Sequence, residues 1–362
     1  MMGRCKSFYL SSMGAAFIAL ALMGLPGVSL AQAPVPVLSM VGIAANPPSA
    51  QVVKPLPPLQ LRPAATPVSK APSPSVVPTP LKPQLPKATA SPPVALLVDS
   101  TVRQGEVLFV AVKIMPPKES STQVASVVPH HLHWKGGGGL DVPLYSRGAG
   151  VWETVVPVRV DHPVGPGGLT VMDASNKALA SSAVAVTSGG YAKQNITLSG
   201  GMGALTPEPG EMDAIGKLKT DTNPAERLWQ KQFALPVPEC MNSPFGNLRY
   251  HNGKFTGNFH KGIDQRSPQG RLVKAPTEGV VKIAKTYRLH GGTVGLDHGQ
   301  GVSSIYIHLS RINVKPGQRV KSGDILGQVG ATGFATGPHL HWGLFVHGVP
   351  VNPTQWVHPD VC

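Results

Sequence analysis

Seventeen prolines fall within the sixty residues from Pro34 to Pro93, with five basic residues and no Asp or Glu. Proline fixes φ, lacks an amide hydrogen and clashes with a preceding helical turn, so neither a helix nor a central strand can form there. The stretch reads as an extended, partly polyproline linker with a reach of more than about 100 Å at about 3.1 Å per residue. Folded structure must therefore lie outside it. Upstream, Arg4 and Lys6 precede the apolar run 14–25, Pro26 and Gly27 break it, and small residues follow at Ser29, Ala31 and Ala33. This is the layout of an export signal cut after Ala31, and the run is too short to span a bilayer. Residues 1–31 are expected to be a signal peptide and 32–94 a disordered linker. The mature chain is then expected in the periplasm or cell envelope, without a transmembrane segment.

Beyond the linker the texture changes to short β-rich runs: EVLFVAVKI (106–114), VWETVVPVRV (151–160), LTVMD (169–173) and SAVAVT (182–187). Turns such as KGGGG (135–139) separate them, which predicts a small β-sandwich over residues 95–190. Residues 236–362 return to the same texture, with VSSIYIHLS (302–310), RVKSGDILGQVG (319–330) and HLHWGLFVHG (339–348), and no helical period. An antiparallel β-sheet domain follows from that pattern. Between them, 191–235 is a connecting segment in which GEMDAIGKLK and PAERLWQKQ predict two short helices, the second started by Pro224. The fold class is mainly β.

The net charge of +14 is spread along a chain that is only 14% charged. No helix-turn-helix, finger or RNA-binding pattern accompanies it, so nucleic acid is not an expected partner, whereas an acidic envelope polymer suits it. Of three cysteines, Cys5 precedes the apolar run and leaves with the signal. Cys240 and Cys362 remain, and an even pair in an oxidising compartment reads as a disulfide, with two free buried thiols as the alternative.

The tetrapeptide His-Leu-His-Trp occurs twice, at 131–134 and 339–342. Histidines at i and i+2 share one face of a strand and can offer imidazoles to a metal. Around His131 and His133 there are only His130 and His162, and no His-x-x-x-Asp, so the first copy reads as a surface strand. The second copy has company. FHKGID places His260 and Asp264 in a turn running into a strand, and YIHLS places Tyr306 and His308 two apart, on one expected strand face. Imidazoles and a carboxylate from separate strands suit zinc, which in catalytic sites takes three N/O ligands and activates a water at the fourth position. His298 in DHGQG reads as a turn residue and His347 as a hairpin residue, while His251, His290 and His358 have no partner pattern.

The ordered set His-x-x-x-Asp, x-His-Leu-Ser and Gly-Pro-His-Leu-His-Trp resembles the LytM/lysostaphin-type zinc metallopeptidases from about Ser243 to Trp356. The stretch YAKQNITL with the β region before it more loosely resembles an N-terminal module of exported members. The resemblance implies a β-sheet groove with one zinc per chain, held by His260, Asp264 and His341. It implies His308 and His339 as the catalytic pair, and peptide cross-links of bacterial peptidoglycan as substrate. The alternative it carries is a catalytically silent wall-binding activator of other hydrolases, the state of members that have lost ligands. All five positions are filled here. The apolar WGLFVHG after His341 departs from relatives that carry a charge there, so which bond is cut is left open, as is any regulatory envelope partner.

Overall fold

The computed structural model describes residues 94–115, 128–198, 200–357 and 359–362. The expected signal peptide, the linker up to residue 93 and His358 lie outside the described residues. The described residues belong to one compact unit.

Nine strands begin that unit: β1 (Val94–Leu97), β2 (Thr101–Arg103), β3 (Val107–Ile114), β4 (His131–Lys135), β5 (Leu140–Pro143), β6 (Tyr145–Gly148), β7 (Val151–Pro157), β8 (Gly165–Met172) and β9 (Ala178–Thr187). They make two sheets, ordered β1-β3-β7-β6 and β2-β9-β8-β4-β5. Alternation along β3 explains the packing. Leu108, Val110 and Val112 point between the sheets, where they meet Leu132 and Trp134 of β4 and Val171 of β8. Val107 and Phe109 point the other way, into the core of the C-terminal domain. The turn after β4 holds Gly136–Gly139 at φ of 140°, 55°, 100° and 75°, a run that side-chain-bearing residues would strain to follow.

The rest of the unit contains β10 (Lys193–Ile196), α1 (Glu211–Thr220), β11 (Met241–Ser243), β12 (Leu248–His251), β13 (Lys254–Phe259), β14 (Ile263–Arg266), β15 (Leu272–Lys274), β16 (Gly279–Tyr287) and β17 (Gly291–Gly299). It is completed by β18 (Val302–Leu309), β19 (Arg311–Ile312), β20 (Arg319–Val320), β21 (Ile325–Gln328), β22 (His339–Val346) and β23 (Val349–Val351). An eight-stranded sheet runs β11-β14-β22-β18-β17-β16-β20, with β23 also on β22, and β10-β12-β13 forms a smaller sheet beside it. One face of the large sheet buries Val294, Leu296, Tyr306, Trp342 and Leu344. The other buries Ile283, Ile305, Ile307 and Phe345 under Ile215 and Leu218 of α1. Positive φ at both Asn252–Gly253 and His347–Gly348 marks tight two-residue hairpins, as expected for His347. Among the described residues no helix is long and apolar enough to cross a membrane.

The expected second helix does not form. Residues 222–230 run as an extended strap whose backbone finds tertiary partners: Leu228 N–H donates to His298 O, and Gln300 N–H donates to Asn223 O. Trp229 is buried, donates to Gly299 O at 3.0 Å and packs edge-on against Trp356. These contacts outweigh the few tenths of a kcal/mol per residue that helix propensity supplies. His298 is likewise not a turn residue. It is buried within β17, with Nδ1 donating to Glu278 O at 2.7 Å and Nε2 at 2.7 Å from Ser304 Oγ.

Candidate metal centre

Strand register assembles the site. β14 and β22 pair antiparallel with Asp264 opposite His341 and Arg266 opposite His339, so these four side chains share one sheet face. Leu340, Trp342 and Ile263 point to the other face and are fully buried. The turn carrying His260 lies so close to β22 that a Cβ at Gly262 would sit 2.4 Å from Trp342 O, which is why the motif needs glycine there.

His260 Nε2, Asp264 Oδ1 and His341 Nδ1 form a triangle with sides of 3.0, 2.9 and 3.0 Å. It is the one group of three such donors among the described residues. His260 Nδ1 donates to Pro244 O at 2.9 Å, so its Nε2 carries a lone pair facing a carboxylate oxygen. Two acceptors in contact are unfavourable unless a cation lies between them. Ligands at about 2.0–2.1 Å in tetrahedral geometry stand about 3.3 Å apart, close to these sides. Burial opposes ionisation of Asp264, yet positive charge on the facing His260, and then on His341, outweighs it and holds the carboxyl well below its usual range, the role a bound cation would take over. Burial pushes His341 down to about 4, against its hydrogen bond to Asp264. A neutral imidazole and an ionised carboxylate are the forms that bind zinc.

His308 arrives by a route that alternation does not predict. Across β18 and β22, Ile307 lies opposite His341 and Tyr306 opposite Trp342, so strict alternation would send His308 to the core face with Tyr306. At φ of 65° His308 breaks the alternation and turns its ring into the cleft, with centroids 4.8 Å from His339 and 6.4 Å from His341. The expected shared face of Tyr306 and His308 is thereby corrected: Tyr306 packs in the core and its hydroxyl accepts from Ser304 Oγ. Backbone of this kind costs about 1–3 kcal/mol and must be held by its surroundings. His308 N–H donates to His290 O at 3.0 Å, and His308 Nδ1 donates to Thr332 O at 2.8 Å. His339 Nδ1 donates to Gly337 O at 2.8 Å, and its Nε2 lies 3.9 Å from Asp264 Oδ1. Both rings therefore keep Nε2 free for the cleft. Burial, then the neighbouring His339 and His341, push His308 down to about 3.

Three supports were not legible beforehand. Arg249 of β12 donates to Asp264 Oδ2 at 3.4 Å and to Gln194 Oε1 at 2.6 Å, tying β10 to the site. His290, which showed no partner pattern, donates through Nδ1 to Glu211 Oε1 at 2.6 Å and lines the cleft. Glu211 of α1 is fully buried and also accepts from the backbone N–H groups of His290 and Leu289. Burial alone would raise the Glu211 pKa, but these hydrogen bonds outweigh it and keep the pKa lowered. The cleft over these groups has a volume of about 660 Å³ and is walled by β10 and by the loop 334–338.

The first HLHW gathers no such set. Leu132 and Trp134 enter the sandwich core, while His131 lies against His130 and His133 Nδ1 sits 2.6 Å from Asp141. His162 is buried, where it accepts from Trp134 Nε1 at 3.2 Å. Cys240 and Cys362 stand side by side with Cα atoms 5.2 Å apart, a separation that a disulfide spans.

Residues 258–353 match the model of peptidase family M23. The DD-carboxypeptidase/endopeptidase Mpg of Neisseria meningitidis is 40% identical over 119 residues, 33% of this chain and 27% of the relative. The peptidoglycan DD-endopeptidase ShyA of Vibrio cholerae is 43% identical over 93 residues, 26% of this chain and 22% of the relative. The chain thus spans about a quarter of the length of the curated relatives it matches. Among solved structures, the catalytic domain of the antimicrobial peptidase lysostaphin from Staphylococcus simulans is 32% identical, covering 32% of this chain and 88% of the other, with a TM-score of 0.28.

Proposed function

On the match of residues 258–353 to peptidase family M23, we propose that the protein is an exported zinc endopeptidase cutting peptide cross-links of bacterial peptidoglycan. The observation that carries the reading is the His260–Asp264–His341 triangle with the imidazoles of His308 and His339 beside it, each with Nδ1 engaged by a backbone carbonyl. Those three residues would hold one zinc, with Arg249 steadying the outer oxygen of Asp264. When bound, zinc supplies Lewis acidity, activating water and polarising the peptide carbonyl.

His308 and His339 supply the proton traffic. Each has its Nδ1 proton committed to a backbone carbonyl, so each presents Nε2 alone to the cleft. One takes a proton from the attacking water and returns it to the departing amine. The other, carrying a proton taken up from solvent before turnover, donates it as a hydrogen bond to the carbonyl oxygen as charge develops there and keeps it afterwards. The names of the relatives, a peptidoglycan DD-endopeptidase and a DD-carboxypeptidase/endopeptidase, support peptidoglycan stem peptides as the substrate. The signal layout supports the periplasm or envelope as the location, where a Cys240–Cys362 disulfide would persist.

The test is to incubate the purified protein with peptidoglycan, with and without chelator, and to measure new amino groups. Release that stops with chelator and returns with zinc is expected. A protein that binds wall, holds zinc and frees no amino groups would instead be the silent activator.

A further inference from the structure

A second recess opens off the cleft beneath α1. It measures about 260 Å³ and shares Arg249, His260, His290 and His341 with the cleft, so the two adjoin. Register gives its direction. Along β22, His339 lies opposite Arg266 and His341 opposite Asp264, while Gly343 and Phe345 follow on the same face. Phe345 is four residues beyond His341, about 13 Å along the strand. The recess thus extends the cleft floor away from Arg266, past the metal triangle.

Its chemistry is unlike that of the cleft. Ile215 of α1, Ile307 and Phe345 give it apolar walls, and Lys219 of α1 stands over the Phe345 ring at 4.8 Å. Lys261, in the His260–Asp264 turn, lines the same recess, whose lining contains no carboxylate. Burial, then the Lys261 charge, lower the Lys219 pKa. Arg249 is already committed to Asp264 and Gln194. The half-buried Lys219 and the exposed Lys261 thus border one apolar recess whose lining holds no acid. Anchoring α1 does not require this, because Glu211, Ile215 and Leu218 are its buried side chains.

We propose that the recess is a substrate subsite for a carboxylate on an aliphatic stem, so that cross-links with a free carboxylate beside the scissile bond are preferred over the same links amidated. The proposal rests on the peptidase reading above. Apolar walls take the stem, and the two lysines take the charge as charge-assisted hydrogen bonds. Lys219 lies outside residues 258–353, so part of this selectivity comes from the connecting segment rather than from the matched domain.

The experiment uses the full chain and two synthetic cross-linked peptides identical except for carboxylate or carboxamide. The zinc-loaded protein is expected to favour the carboxylate by about 10- to 100-fold in kcat/KM, the range of one charged hydrogen bond. Lys219→Met keeps a stem over Phe345 and should reduce the preference to below about threefold by slowing the carboxylate peptide alone, whereas Lys219→Arg should retain it. Lys135→Gln, a charge removed on the distant sandwich, should change nothing. Binding of the carboxylate peptide to metal-free protein gives a second readout, expected to weaken in Lys219→Met. Equal cleavage of both peptides overturns the subsite and leaves the peptidase reading standing. Cleavage of neither, with Lys219-dependent binding of the carboxylate peptide, overturns the peptidase reading and leaves the subsite. A preference unchanged in the Lys219→Met/Lys261→Met double variant also overturns the subsite.

Discussion

Replacing the five site residues one at a time with alanine should separate those that hold metal from those that move protons. The triangle of His260, Asp264 and His341 offers three donors with sides near 3 Å. Structural zinc sites bind with about 10–16 kcal/mol shared among four ligands, so one ligand contributes about 3–4 kcal/mol. Losing one should weaken zinc affinity by roughly two to three orders of magnitude. His308 and His339 stand beside the triangle with their Nδ1 atoms on Thr332 and Gly337 carbonyls. Removing either leaves all three donors in place, yet turnover should fall by about 10²–10⁴, the span of a lost acid/base or oxyanion contact. The assay is elemental zinc per chain after identical dialysis against a weak chelator, paired with amino-group release from peptidoglycan. Expected is near one zinc in the parent, His308→Ala and His339→Ala, and near none in the other three. Should His339→Ala lose its zinc while His341→Ala keeps it, the division of the HLHW pair is reversed.

The first HLHW should be dispensable: His131→Ala with His133→Ala should leave zinc content and hydrolysis within about twofold of the parent, measured in the same two assays. Cys240 and Cys362 should carry no free thiol in exported, unreduced protein, by thiol labelling. Their link closes a span of 122 residues, so the double Ser variant should lose about 4–5 kcal/mol in denaturant melts. Burial holds His298 down at about 4, against 6.5 for an unperturbed imidazole. Between those values the unfolded chain binds the extra proton, so stability is full above about pH 6.5 and falls as pH drops toward 4. The His298 share should be about 2 kcal/mol between pH 7.5 and pH 5, and urea melts of His298→Gln should show a pH slope shallower by that amount.

Much of the site could be read from spacing because strands repeat every two residues. His339 and His341 had to share a face whatever their partners, and the glycine in HKGID signalled a close turn. His308 could not be placed this way, since its delivery depends on a left-handed backbone that alternation forbids and that His290 and Thr332 hold from elsewhere in the chain. Arg249 and Glu211 were invisible for a related reason: each acts through a pairing created only by the fold, with Gln194 on β10 and with the loop at 289–290. The missing second helix shows the limit of propensity, because PAERLWQKQ is helical in composition but Trp229 has a better partner in Trp356.

The junction between the sandwich and the C-terminal domain bears on how the chain can be cut and recombined. Gln355 accepts from Val107 N–H and donates to Val107 O, Asn352 N–H donates to Gly105 O, and Phe109 meets Trp356 at 5.1 Å. Val107, Val155, Phe233 and Trp356 belong to one buried cluster. A C-terminal domain excised at residue 236 would therefore leave an aromatic face open to water. The two modules are separable on paper, but they solubilise each other, and a chimera would need to carry a matching strand face with it.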